Sequence, residues 1–253
     1  MSIFEDMLLV QKNTMKRSIK SFKTSWPIIF TGIVYTLINI VVLYIISLFF
    51  TGILSIVAGL ISAIISSSLI SNYLYLLYNA INFNRITLDI FKEGFTQYLW
   101  KVYGVFFIGW VASYALSIVT NMAGTSGAII YSIVSLLALI LLNSLPETIY
   151  QKYYSSAESI RYSFDFIKEN WLNWFIPNII LFAIIYIVTG RLILNIFTTH
   201  LVMGFDLDIM SILRYIIGQS LFSFAMIYRG HLFDLLSTST RRKRMFMNRL
   251  YED

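Results

Sequence analysis

The sequence predicts an all-α membrane protein: six transmembrane helices arranged as three hairpins, each preceded by a cytoplasmic amphipathic helix at the interface. Three observations predict it. First, 58% of the residues are hydrophobic and only 13% are charged, against roughly 25% charged in a soluble domain. Second, residues 24–84 and 102–146 contain no Asp, Glu, Lys or Arg. A helix needs roughly 20 apolar residues, at about 1.5 Å each, to cross a hydrocarbon core of about 30 Å, so each run is long enough for two crossings. Third, the basic residues are one-sided. With the spans below, 17 of the 19 Lys and Arg fall on one face, all but Arg191 and Arg214. Positive charge collects on the cytoplasmic side because it resists translocation, which places residues 1–25 and 229–253 in the cytoplasm.

The spans are read as about 26–50, 53–78, 102–120, 128–145, 171–197 and 209–228. The first apolar segment is too long for the core of a signal peptide and no small-residue cleavage site follows it, so it reads as an uncleaved span. Thr51-Gly52 gives a tight first connection, and residues 121–127 (NMAGTSG) a short second one. Pro146 is expected to stop the fourth helix.

Three segments on the cytoplasmic side carry helical amphipathicity. Met15, Ile19, Phe22 and Trp26 form a stripe opposite Lys12, Lys16, Lys20 and Lys23. A weaker stripe runs through Ile90, Phe91, Phe95 and Trp100. The third is Ala157, Ile160, Phe164, Ile167 and Trp171, opposite Glu158, Arg161, Asp165, Lys168 and Glu169. Ser155 with Glu158 fits a capping box at its start. Each is expected to lie along the inner leaflet with its apolar face down. Ile19, Ile90 and Ile160 recur about 70 residues apart, each ahead of a Phe, a Trp and a hairpin. True repetition and a common pattern imposed by the membrane both account for this.

Leu145-Pro146-Glu147, then Ala157 to Phe164 (AESIRYSF), then Trp171, with the basic entry of Lys20 to Trp26, resembles a pattern in bacterial six-helix membrane proteins. These are similar to the membrane domain attached to some glycerophosphodiester phosphodiesterases. The resemblance implies a bacterial cytoplasmic-membrane protein. It carries over no catalytic residue, because the phosphodiesterase chemistry of those proteins belongs to a separate soluble domain.

Few residues suggest chemistry. Cysteine is absent and there are two histidines, His200 and His231, which excludes disulfides, thiolate clusters and a histidine-rich metal site. Arg191 and Arg214 are candidate contacts for a substrate or anion, since charge near a span is costly and often functional. Snorkelling toward Asp206 and Asp208 is the structural alternative. A metal at His200, Asp206 and Asp208 would rest on too few ligands. Arg241, Arg242, Lys243 and Arg244 are candidate contacts for anionic lipid headgroups, at about 1 kcal/mol per basic residue, and double as a topology signal. Ser55, Gly59, Ser62 and Ser66 put small residues on one face of the second span, read as a helix-packing face. Ser67, Ser68, Ser71 and Asn72 nearby suggest packing or a polar groove. Asn39, Asn143 and Gln219 read as interhelical hydrogen-bonding groups. His231 with Asp234 lacks a visible nucleophile.

These observations imply a non-enzymatic component of transport or of the envelope in a bacterial cytoplasmic membrane. No catalytic, cofactor or metal residue is indicated. Its partners would be the bilayer, anionic headgroups and a membrane or ATPase subunit, with no nucleic acid. The lack of ionisable groups at mid-membrane argues against an autonomous coupled pump. The alternative is a permease for a small solute or lipid-like molecule, with Arg191 and Arg214 reading an anion. A lipid hydrolase would need Glu147, His231 or Asp234 to share a cavity.

Overall fold

Long charge-free runs become long helices because an α-helix satisfies its own backbone hydrogen bonds wherever water is scarce. The computed structural model describes residues 3–50, 55–201 and 208–239, and every regular element in them is helical. In chain order these are α1 (Ile3–Thr24), a 3-10 turn (Trp26–Phe30), α2 (Thr31–Phe49), α3 (Ser55–Phe83), α4 (Leu88–Gln97), α5 (Leu99–Met122), α6 (Gly127–Leu141), α7 (Leu145–Gln151), α8 (Ser156–Thr189) and α9 (Ile209–Thr238). Six stretches among the described residues are long and apolar enough to cross a membrane: Trp26–Phe49, Val57–Phe83, Leu99–Met122, Gly124–Gln151, Ser156–Thr189 and Ile209–Thr238. Asp6 and Leu236 line one groove, so both described ends of the chain meet at one end of the molecule, here the terminal end. Thr51-Gly52, Asp206 and the cluster Arg241, Arg242, Lys243 and Arg244 lie outside the described residues.

Several boundaries differ from expectation. Pro146 does not stop a helix. α6 ends at Leu141, the chain turns, and Pro146 sits in the first turn of α7, where its missing N–H would have no helical partner anyway. The fifth span is continuous with the amphipathic segment before it, and its capping box is present: Ser155 and Glu158 bond reciprocally. It ends at Thr189 rather than 197, because Gly190 adopts the left-handed conformation (φ 68°) and closes it. Pro177 lies inside α8 and leaves the Asn173 carbonyl without its helical donor. Gln11 of α1 supplies one, its Nε2 donating to Asn173 O at 3.3 Å.

The amphipathic faces meet protein differently from the sequence reading. α1 packs along α9 through Asp6, Val10, Thr14, Ser18 and Ser21, all buried, at a spacing of four, four, four and three. Of its predicted stripe, Met15, Ile19 and Trp26 are left exposed, while Phe22 packs edge-on to Phe224 of α9. On α8 the buried face is Ser159, Ser163, Phe166, Ile167 and Trp174, while Phe164 and Trp171 stay exposed. α4 turns Ile90, Phe91 and Phe95 inward against the core. Two of its last carbonyls, which no helical N–H can reach, are taken up by α3: Ser71 Oγ donates to Gly94 O at 2.7 Å and Ser68 Oγ to Phe95 O at 2.9 Å, while Asn72 Nδ2 donates to Phe91 O about one turn earlier. That polar cluster is the C-terminal cap of α4. The predicted packing face on α3 is not one in this chain: Gly59 and Ser66 are exposed, and a Cβ at Gly59 would touch nothing within 4 Å.

Candidate functional site

The interior of the terminal half holds a pair of opposite charges that the sequence reading had placed at its flank. Glu147 on α7 is fully buried and Arg229 on α9 is 3% exposed. The guanidinium grips the carboxylate with two bonds, Nε to Oε1 at 2.7 Å and Nη2 to Oε2 at 3.0 Å. This side-on fork is the strongest geometry that pair can make. The opposite edge is held at the α6–α7 turn, where Nη2 donates to Asn143 O at 2.7 Å and Nη1 to Asn143 Oδ1 at 3.2 Å. Trp174 of α8 closes the arrangement. Its indole N–H donates to the same Asn143 Oδ1 at 2.9 Å, and its ring lies 4.9 Å from the guanidinium carbon. Both charges sit within stretches of spanning length, Glu147 in Gly124–Gln151 and Arg229 in Ile209–Thr238.

Local sequence explains how the charges reach each other. The α6–α7 break re-aims the chain so that Glu147 turns inward one residue after Pro146. Gly230, next to Arg229, allows α9 to approach: a Cβ there would run into Ile81 Cδ1 and stand 2.5 Å from the Tyr150 hydroxyl.

Beyond α8 the chain does something no helix boundary predicted. The segment from Gly190 to Leu201 is non-helical and folds back into the bundle. Thr189 lies against Gly218 of α9. Asn195 and Ile196 line a cavity with Phe222, Met226 and Arg229, four to eleven residues further along α9, or about 6–16 Å closer to the terminal end. The chain then returns, and Leu201 N donates to Gln219 Oε1 at 2.9 Å. Phe197 packs edge-on to Phe106 of α5 with centroids 5.1 Å apart, and His200 packs against Tyr35 of α2 at 5.8 Å. Backbone without helical bonds is tolerated at membrane depth only when it is packed in protein or lines a cavity, and this segment does both. The cavity measures about 90 Å³ and is lined chiefly by Leu139, Asn143, Phe182, Ile193, Phe222 and Arg229.

The predicted site residues lie elsewhere. Arg191 is exposed just after the Gly190 cap, on a shallow depression of about 530 Å³ that also includes Asn195 and His200. Arg214 is exposed on α9 and lines neither space. Burial keeps His200 below the usual histidine range. Asp208 is exposed at the start of α9, and no group of three or more ligand-type side chains occurs among the described residues. Glu147, His231 and Asp234 each have a separate partner: Arg229, Ser21 and Arg17 respectively. Ser21 Oγ gives its one proton to Asn84 Oδ1 at 2.8 Å, so the 2.8 Å contact with His231 runs from Nε2–H to Ser21 Oγ. A nucleophilic serine needs the reverse polarity.

The sequence did contain a signal for the buried pair. Glu147 is the sole acidic residue between Glu93 and Glu158, and Arg229 the sole basic one between Arg214 and Arg241. Two isolated opposite charges in apolar surroundings were available to pair, but one-sided charge counting absorbed Arg229 into the cytoplasmic flank. Family models, curated proteins and solved structures were all compared with the chain, and none matches it.

Proposed function

We propose that the chain is a non-enzymatic polytopic protein of a bacterial cytoplasmic membrane that takes part in moving a small solute, with the passage formed between α8, α9 and the segment joining them. The observation that carries this reading is the non-helical segment folded over a cavity lined by Asn143 and by Arg229, whose guanidinium is held from outside the cavity by Glu147. Non-helical backbone packed into a helical bundle is how membrane proteins line solute sites. The separate partners of Glu147, His231 and Asp234 favour it over a hydrolase. The site replaces Arg191 and Arg214 as the place where the solute is read, and an ATPase or other membrane subunit remains the proposed source of energy. The resemblance to the membrane domain of glycerophosphodiester phosphodiesterases is kept as part of this proposal.

In this reading the six spans form three hairpins and the terminal end faces the cytoplasm. The exposed stripe Met15, Ile19 and Trp26 rests on the inner leaflet beside Lys12, Lys16, Lys20 and Lys23, all exposed, and the tail from Arg241 to Arg244 meets anionic headgroups. That stripe also favours a second reading, a passive lipid-facing envelope component.

Flux into proteoliposomes separates the two. Small-solute uptake above that of protein-free vesicles supports transport, and its absence across a panel of small ions and neutral solutes supports the passive role. Orientation is tested in the cysteine-free chain. Lys12→Cys should react with an impermeant maleimide only after cells are opened, and Met122→Cys, at the α5 end and 84% exposed, in intact cells. Labelling of Lys12→Cys from outside would invert the topology.

A further inference from the structure

Hydrogen-bond accounting at the cavity shows what it is built to hold. Arg229 has five N–H donors. Two meet Glu147 and two meet Asn143, which leaves one N–H of Nη1 unused. Asn143 accepts three bonds but donates none through Nδ2. Among the acceptors nearby, both Glu147 oxygens face Arg229 and Asn195 Oδ1 accepts from Phe197 N, while Thr198 Oγ1 donates to Asn195 O and keeps its own lone pairs. The remaining wall is apolar, chiefly Leu139, Phe182, Ile193, Phe222 and Met226. The side chains therefore present spare donors on Arg229 and Asn143, the first of them on a cation.

We infer that this cavity is a binding site for a small monovalent anion, held by Arg229 Nη1–H and Asn143 Nδ2–H and covered by the segment from Gly190 to Leu201. Volume sets the class. At about 90 Å³ the cavity has room for about three waters, taking roughly 30 Å³ each, which matches an ion of one to four heavy atoms such as a halide, nitrate or formate. Lipid headgroups and sugars need several hundred Å³. Glu147 neutralises the guanidinium from the edge away from Nη1, so the site holds an anion by directed donors rather than by net charge; any anion adds uncompensated charge there, and a divalent one adds twice as much. As the identity of a transported solute, this inference rests on the transport reading above. As a binding site it stands without it.

The test uses the full chain in detergent and in proteoliposomes. Thermal unfolding is followed in chloride, nitrate, formate and gluconate at equal ionic strength. Saturable stabilisation by at least one small ion, and none by gluconate, is expected. Met226→Phe fills the cavity from its apolar wall without touching either charge, and should weaken the small-ion effect at least about tenfold, read as the difference between small-ion and gluconate midpoints within the same variant so that the packing cost of the larger side chain cancels. Identical unfolding in all four salts, or an ion effect that survives Met226→Phe, overturns the site. Anion-specific stabilisation lost in Met226→Phe but without flux in wild-type vesicles upholds the site and sinks transport. Flux without any stabilisation upholds transport and sinks the site.

Discussion

The two ends of α9 lie in different surroundings, and the more apolar end is the more exposed. From Ile209 to Ile217 the helix leaves Leu213, Ile216 and Ile217 about half exposed, whereas Phe222, Ile227, Leu232 and Phe233 are wholly buried. The rest of the molecule divides the same way. The parts of α2, α5 and α6 away from the terminal end show rows of exposed Leu, Ile, Val and aromatic side chains, while most of the buried polar groups cluster around α1, α3, α7 and the second half of α9. Hydrocarbon solvates an apolar helix as well as a protein core does, so association within it gains little from apolar burial and depends on close packing and hydrogen bonds. The terminal half supplies both, and the far half does without. The terminal half should therefore be sensitive to single-atom changes and the far half nearly indifferent.

The largest expected effect is at the ion pair. Removing one member leaves the other buried and uncompensated, which costs about 3–5 kcal/mol. Arg229→Met and Glu147→Leu alone should each lower the midpoint of thermal unfolding in detergent sharply, while the double variant, with no stranded charge, recovers most of the loss. A double variant no better than either single one would show that the fork to Asn143 and the stacking on Trp174 matter more than the charges.

Close packing comes next. Gly230→Ala pushes a methyl into Ile81 Cδ1 and toward the Tyr150 hydroxyl, and overpacking of this kind costs about 1–3 kcal/mol. Unfolding in detergent measures it, and Ile81→Val in the same chain should recover part of the cost by freeing the space.

How much of this was legible beforehand follows from what each feature depends on. The six spans depend on length and apolarity, and the run of residues 24–84 shows them directly. The capping box at Ser155 depends on two residues three apart, and it is there. The burial of α1 could not be read by hydrophobic periodicity, because the face that packs is Asp6, Thr14, Ser18 and Ser21. In contact with α9, small polar side chains that bond their own helix, as Thr14 does to Val10 O and Ser18 to Thr14 O, pack more closely than the Met and Ile beside them. The folded-back segment escaped because Leu192 to Phe197 is apolar enough to extend a helix, and only Gly190 marks the break. Glu147 and Arg229 meet through tertiary geometry across 82 residues, where spacing carries no information.

A smaller effect tests how the folded-back segment is seated. Burial favours neutral His200 and holds its folded-state pKa below the ordinary value of 6.5. A histidine shifted down takes up protons more readily when released. The seating it provides is therefore intact above about pH 6.5 and weakens as the pH falls below that value, until the folded-state pKa is passed. Hydrogen exchange at Phe197 and Leu201 should rise on acidification, and His200→Gln should remove the pH dependence. Exchange that is flat with pH in the wild type would mean that Phe197 against Phe106 holds the segment unaided.

The smallest expected effect decides the comparison from the other side. Gly59 lies on an exposed face of α3 with nothing within 4 Å of where a Cβ would sit, so Gly59→Ala meets no steric cost. Alanine is the better helix former by about 1 kcal/mol, so the variant should unfold at or slightly above the wild-type temperature in detergent and behave alike in bilayers. Gly230→Ala makes the same chemical change with the opposite sign, and only the surroundings differ. If Gly59→Ala were neutral in detergent but impaired the protein in the membrane, the row of Gly59, Ser62 and Ser66 would face another helix there, and the far half would have a protein neighbour in place of lipid along that face.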